Sequence, residues 1–140
     1  MMAGFAQTGS TGKAIGAKNK ITDSKSNYSS MNTRYVAVYG SMSQKDIDYV
    51  ESQASSYWEN IDYADSYYDD GEDAWYIASA LIVAGDEAYK NQDYETASAY
   101  YDGAVSNFST ANDYYFSAFS YAVDANTNVS IALVTIAFYE

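Results

Sequence analysis

The chain has 140 residues, 48% of them hydrophobic, which is enough for one ordinary domain with a core. It holds no Cys, no His and no Pro, seven Lys+Arg against nineteen Asp+Glu for a net charge of −12, and 17 Tyr. Those absences exclude a disulfide framework, a zinc finger, a thiol nucleophile and any imidazole chemistry; no catalytic residue, metal ligand, cofactor or small-molecule substrate is assigned, and a non-enzyme is expected.

Residues 1–42 read as an extended arm. They are Gly, Ser, Thr, Lys and Asn in the main, with four glycines in the first sixteen positions and no apolar helical period. Within the arm, Tyr35, Val36, Val38 and Tyr39 make a strand-like run over 34–39 that ends at Gly40. Nothing at the start has the apolar run of a secretory signal, and no stretch is long enough to span a bilayer. The glycines of 9–16 lack the Gly-Lys-Ser/Thr of a phosphate loop and read as linker.

Charge divides the chain. Residues 1–45 hold six of the seven cations and one acid, Asp23, whereas 46–140 hold Lys90 against eighteen acids. Such asymmetry points to an interaction arm, with Lys13, Lys18, Lys20, Lys25 and Arg34 as its contacts. Two partners fit: the acidic body of a neighbouring subunit, or nucleic acid, as with the arms of virion coat proteins. Arg34 is the only Arg, where nucleic-acid arms are dense in arginine, and this favours the neighbouring subunit.

From 43 onward the period is helical, and 43–140 is expected to form an all-α antiparallel bundle of three to four helices. Ile47, Val50, Ala54, Tyr57, Ile61, Ala64 and Tyr68 step by three and four, with Ser43 as N-cap. The acids around Gly71 read as a turn over 69–73, followed by a second helix over 73–91 with two adjacent seams, Ala74, Ile77, Leu81, Ala84, Ala88 and Trp75, Ala78, Ile82, Gly85, Tyr89. A third helix begins at Asp93 and either breaks near Asn112 and Asp113 or continues. The last segment, 128–140, is apolar on all sides, so its period does not separate helix from strand. The expected core is Ile47, Val50, Tyr57, Ile61, Ile77, Leu81, Gly85, Ala97, Tyr101, Ala104 and Phe108.

Gly85, Ala88, Tyr89, the Asp93-Tyr94-Glu95 turn, Ala97, Tyr101 and Ala104 carry a resemblance. Their stretch, about 78–111, resembles one tetratricopeptide repeat, whose small residues let two antiparallel helices pack closely. Leu81 and Ala84 stand where that family has Trp and Leu, and a 34-residue period finds no second copy. The resemblance implies a helical hairpin and, as one alternative function, a protein-binding adaptor.

The acids Asp65, Asp69, Asp70, Glu72 and Asp73 lack the alternate spacing of a calcium loop, and pairs such as Asp62 with Asp65 or Asp86 with Glu87 follow from acid density. Tyrosines off the seams are the stronger signal. Tyr35, Tyr39, Tyr49, Tyr63, Tyr67, Tyr76, Tyr100, Tyr114 and Tyr121 are assigned to subunit interfaces, since Tyr combines rigid contact area with a wet hydroxyl. Asn27, Asn107 and Asn128 head Asn-x-Ser sequons and are candidate glycosylation acceptors, in keeping with an extracellular filament or virion. The expected function is a self-assembling homo-oligomeric subunit of a filament, tube or shell; a coat protein contacting nucleic acid and a tetratricopeptide-like adaptor are the alternatives.

Overall fold

The computed structural model describes residues 2–140, and every regular element among them is helical. Three long helices follow one another: α1 (Met2–Val38), α2 (Gln44–Lys90) and α3 (Tyr94–Ala137), with a 3-10 turn, Tyr39–Ser41, between the first two. The fold is the all-α helical bundle that the periodicity of 43–140 anticipates.

Residues 1–42 are the largest correction. The described part is no extended arm: 2–38 are helix, and 34–39 is its last turn running into the 3-10 turn, not a strand. The inner row of α1 is Ala3, Gln7, Ser10, Ala14, Ala17, Ile21, Ser24, Tyr28, Met31, Tyr35 and Val38, each buried or half-buried and each four or three residues from the next. That is the 3.5-residue spacing of a coiled-coil seam. It is written in Ala and Ser as much as in large apolar residues, so a hydrophobic period does not reveal it. Ser24 shows how a hydroxyl is accommodated there: its Oγ donates to the Ala122 carbonyl at 2.8 Å in a fully buried contact.

α2 starts as expected, the Asp46 N–H donating to Ser43 Oγ at 3.2 Å. It does not turn at 69–73. Gly71 is helical and buried, and a Cβ placed on it would stand 2.6 Å from the Tyr115 ring. Glycine is needed at that position to admit an aromatic from α3, and Gly85 does the same for Tyr101. α2 ends instead at Lys90, and Gln92 just beyond it adopts φ 62° where glycine is usual. Asp93 N–H bonds the Ala88 carbonyl and Gln92 N–H the Tyr89 carbonyl, closing a Schellman turn, and Asp93 then caps α3 through the Thr96 N–H.

α3 passes Asn112 and Asp113 without a break and carries 128–137 as helix. Its inner row, from Ala97 through Tyr101, Ala104, Phe108, Ala111, Tyr115, Ala118, Ala122, Ala125, Val129 and Ala132 to Ile136, holds the four-three spacing throughout.

The chain forms two compact units, one made of 2–17 with Ser66–Ser117, the other of Lys18–Asp65 with Ala118–Glu140. The boundary drawn near residue 42 from composition is therefore not the structural one. In the first unit Ala3, Ala78, Ala104 and Phe108 form the core, with Trp75, Leu81 and Tyr101 packed on it. There α2 runs antiparallel to both other helices, as the pairs Gln7–Ser79 and Thr11–Trp75, and Tyr101–Asp86 and Tyr115–Glu72, require. In the second unit Ile21, Met31, Ile47, Val50, Tyr57, Ile61, Ala64, Val129 and Ile136 are buried, and Lys25–Asp65 and Tyr35–Glu51 fix α1 antiparallel to α2.

The expected core is otherwise found where it was placed, with Leu81 and Tyr101 half-buried. Ile77 is the exception, at 55% exposed. The inner face of α2 here passes through Ala74, Trp75, Ala78, Leu81 and Ile82, which leaves position 77 on the outside.

Candidate interaction surfaces

Charge is sorted by helix. α1 carries five cations and Asp23; α2 carries twelve acids with Lys45 and Lys90; α3 carries four acids and no cation. Two of the five expected arm contacts are used inside the chain. Lys25 Nζ meets the Asp65 carboxylate at 3.0 and 3.2 Å, and Arg34 forks onto Glu140, Nε to Oε2 at 2.9 Å and Nη2 to Oε1. That fork holds the Glu140 carboxyl below its ordinary range and raises the Arg34 guanidinium further. Both pairs are exposed, so they set register more than stability. Lys13 and Lys18, exposed, and Lys20, half-buried, form no ion pair among the described residues.

The matching acids lie outward on α2. In the second unit these are Glu59 and Asp62; in the first, Asp69, Asp70 and Asp73. All five are exposed and, among the described residues, form no ion pair. Asp65 and Glu72, which the sequence groups with them, are held instead by Lys25 and by the Tyr115 hydroxyl. Among the described residues no group of His, Cys, Asp or Glu converges as a metal site, and no helix is long and apolar enough to cross a membrane.

The tyrosines divide in two. One set ties the helices of each unit together. Tyr28 stacks on Tyr57 at 4.2 Å and 9°, with Trp58 edge-on to both and its Nε1 donating to the Tyr28 hydroxyl. Tyr115, fully buried, donates to Glu72 at 2.7 Å. Four residues expected at interfaces belong partly to this set: Tyr63 packs on Tyr121, Tyr67 on Tyr114. Tyr35 is half-buried, its hydroxyl donating to Glu51 at 3.2 Å. The other set, Tyr39, Tyr49, Tyr76 and Tyr100, is exposed, and Tyr63 joins it on its outer side. Exposed apolar residues that sequence reasoning did not single out lie on all three helices, Phe5 and Ile15 on α1, Trp58 and Val83 on α2, Phe116 and Val134 on α3, with Phe138 just after α3. Their signal was a large apolar residue off the seam, and it was legible.

The sequon asparagines are all engaged. Asn27 Nδ2 donates to Asn126 at 2.8 Å, Asn107 Nδ2 to the Gly103 carbonyl at 2.8 Å, and Asn128 bridges Gln53 and Asn60 at 3.0 and 2.9 Å. All three sit on helices rather than on loops.

Burial and carboxylate contacts keep several phenols protonated. Tyr57 is pushed up to about 12, first by burial and then by the neighbouring Tyr28, Asp65 and Asp62; Tyr115 goes higher still through burial and Glu72. A phenol with an ordinary pKa near 10 when unfolded then stabilises the fold fully below about pH 10, and that stability is lost as pH rises through the folded value. For Tyr57 the loss is about 2–3 kcal/mol between about pH 10 and 12. Melting curves from pH 8 upward are expected to fall steeply in that window, with Tyr57→Phe flattening the fall; identical slopes for the two chains would contradict this.

An open groove of about 990 Å³ lies at the α2–α3 hairpin end of the first unit, lined by Val83, Asp86, Glu87, Tyr89, Lys90 and Tyr101. The Tyr101 hydroxyl donates to Asp86 at 2.5 Å, which raises that phenol to about 12.

No family model matches the chain, and no curated protein or solved structure is significantly similar to it.

Proposed function

We propose that the chain is a non-enzymatic structural subunit that assembles with copies of itself into a filament, tube or shell, the lysines of α1 that form no ion pair within the described residues docking on exposed acids of α2 in a neighbour. The observation that carries this reading is the sorting of charge by helix without internal compensation: Lys13, Lys18 and Lys20 on one helix and Glu59, Asp62, Asp69, Asp70 and Asp73 on another form no ion pair among the described residues. A net charge of −12 makes copies repel by default, so an ordered contact between them needs opposite charges in register. The large apolar side chains exposed on all three helices supply contact area for such neighbours.

Exposed charge pairs weaken as the Debye length shrinks from about 10 Å at 0.1 M salt to about 3 Å at 1 M. The mean particle size by light scattering is therefore expected to fall as NaCl is raised over that range. A size that stays constant, or grows, contradicts the charge-docked contact.

A further inference from the structure

Among the described residues, the hairpin end of the first unit has two helices where the remainder of that unit has three. Ala3, the first buried residue of α1, packs with Ala78, Ala104 and Phe108, and Gln7 bonds Ser79 at 3.2 Å, so α1 meets the other helices over that stretch. Farther along the hairpin, over 83–100, only Gly85 and Ala97 are buried. The groove lies here. At about 990 Å³ it has the volume of roughly two turns of a helix about 10 Å across. Val83, Tyr89 and Tyr101 form the apolar and aromatic part of its lining, the first two more than half exposed, and Asp86, Glu87 and Asn91 stand along it with Lys90 as the single cation. Asp93 and Glu95, also exposed, add negative charge at the turn.

α1 is the one helix of this chain with a positive balance, and its outward face near the start has a matching form. Met2, Phe5, Gly9, Gly12 and Gly16 recur at three- and four-residue steps, all exposed and none charged. Phe5 is 79% exposed. A Cβ on Gly9, Gly12 or Gly16 would meet nothing within 4 Å, in contrast to Gly71 and Gly85, where a tyrosine ring stands at 2.6 Å. Each glycine inside a helix is less favourable than alanine by about 1 kcal/mol, and no contact inside the chain calls for these three. Lys13 rises beside them, with Gly9 four residues before it and Gly16 three after.

We infer that the groove between α2 and α3 at the hairpin end receives residues 2–16 of α1 from a second copy of the chain, with Lys13 of that copy set against Asp86 and Glu87. Phe5 then covers Val83, the glycine face lets the two backbones approach, and Lys13, about 12 Å farther along its helix, comes level with Glu87 and the Tyr89 ring. This rests on the self-assembly reading and names one of its contacts.

The test uses the full chain and the critical concentration for assembly read by light scattering. Lys13→Glu and Glu87→Lys are each expected to raise that concentration at least about tenfold. The double variant, which swaps the charges, is expected to return to within a few-fold of the unchanged chain. Gly12→Leu is expected to leave the melting temperature unchanged or higher, because the added side chain meets nothing within its own chain, and yet to raise the critical concentration at least about tenfold. A double variant no better than either single one overturns the pairing, as does a Gly12→Leu chain that assembles normally. Single variants that assemble normally overturn it too, leaving the groove to another occupant while self-assembly stands. An unchanged chain that stays monomeric under the same conditions overturns both readings together.

Discussion

Reversing all three uncompensated lysines of α1, in a Lys13→Glu, Lys18→Glu, Lys20→Glu chain, is expected to raise the critical concentration for assembly at least about 100-fold while leaving the fold intact. None of the three forms an ion pair within the described residues, so their reversal breaks no ion pair of the subunit, and surface substitutions of this kind usually change stability by no more than about 0.5 kcal/mol. Between subunits the effect is of another size. Each reversal replaces an attraction to the exposed acids of α2 with a repulsion, and like charges brought together across an interface cost several kcal/mol in sum; a 100-fold change needs only about 2.8 kcal/mol. Circular dichroism melts within a degree or two of the unchanged chain, together with loss of scattering, are the expected pair of results. Normal assembly by the triple variant would mean that these lysines do not make the contact between subunits.

Phe108→Ala is expected to produce the largest loss of stability available to one substitution in the first unit, about 3–5 kcal/mol. Phe108 is fully buried between Ala3, Ala78 and Ala104, with the Trp75 ring at 6.3 Å, and the three alanines have no side chain to extend into the space it fills. For a chain of this length the whole stability is about 7–20 kcal/mol, so urea unfolding should show a midpoint lowered by about 15% or more. Phe108→Leu, which keeps much of the volume, is expected to lose less than half as much. Equal losses for the two would mean that the side chain is not packed as described.

These two expectations differ in how much of their basis was legible beforehand. Phe108 and the α3 seam from Ala97 to Ala122 follow directly from spacing, because tyrosine, phenylalanine and alanine alternate along it with no competing pattern. α1 was not legible as a helix. Its seam places Gln7, Ser10 and Ser24 among alanines, and its outward face holds the glycines that also characterise a linker. A search for a seven-residue repeat of small side chains, rather than of apolar ones, would have found it.

Glycine was ambiguous for a related reason. Gly71, amid five acids, has the composition of a turn, yet it is a helix position opened for the Tyr115 ring some forty residues away, which no local pattern encodes. The real turn falls at Gln92, where backbone hydrogen bonds to Ala88 and Tyr89 and the Asp93 cap hold a conformation that the residue type does not announce. The separation of charge, by contrast, survives the change from arm to helix. The same lysines are present, now at fixed positions on a helix, with Lys13 and Lys20 along one side and Lys18 on the other, and two of the five cations are shown to be spoken for within the chain.

Self-assembly is tested most directly by imaging the purified, full-length chain by negative-stain electron microscopy at low salt, with light scattering on the same sample. The account predicts regular particles of many copies, with a repeat along a filament or tube or a closed shell. A uniform 15.4 kDa monomer at high protein concentration and low salt would contradict it.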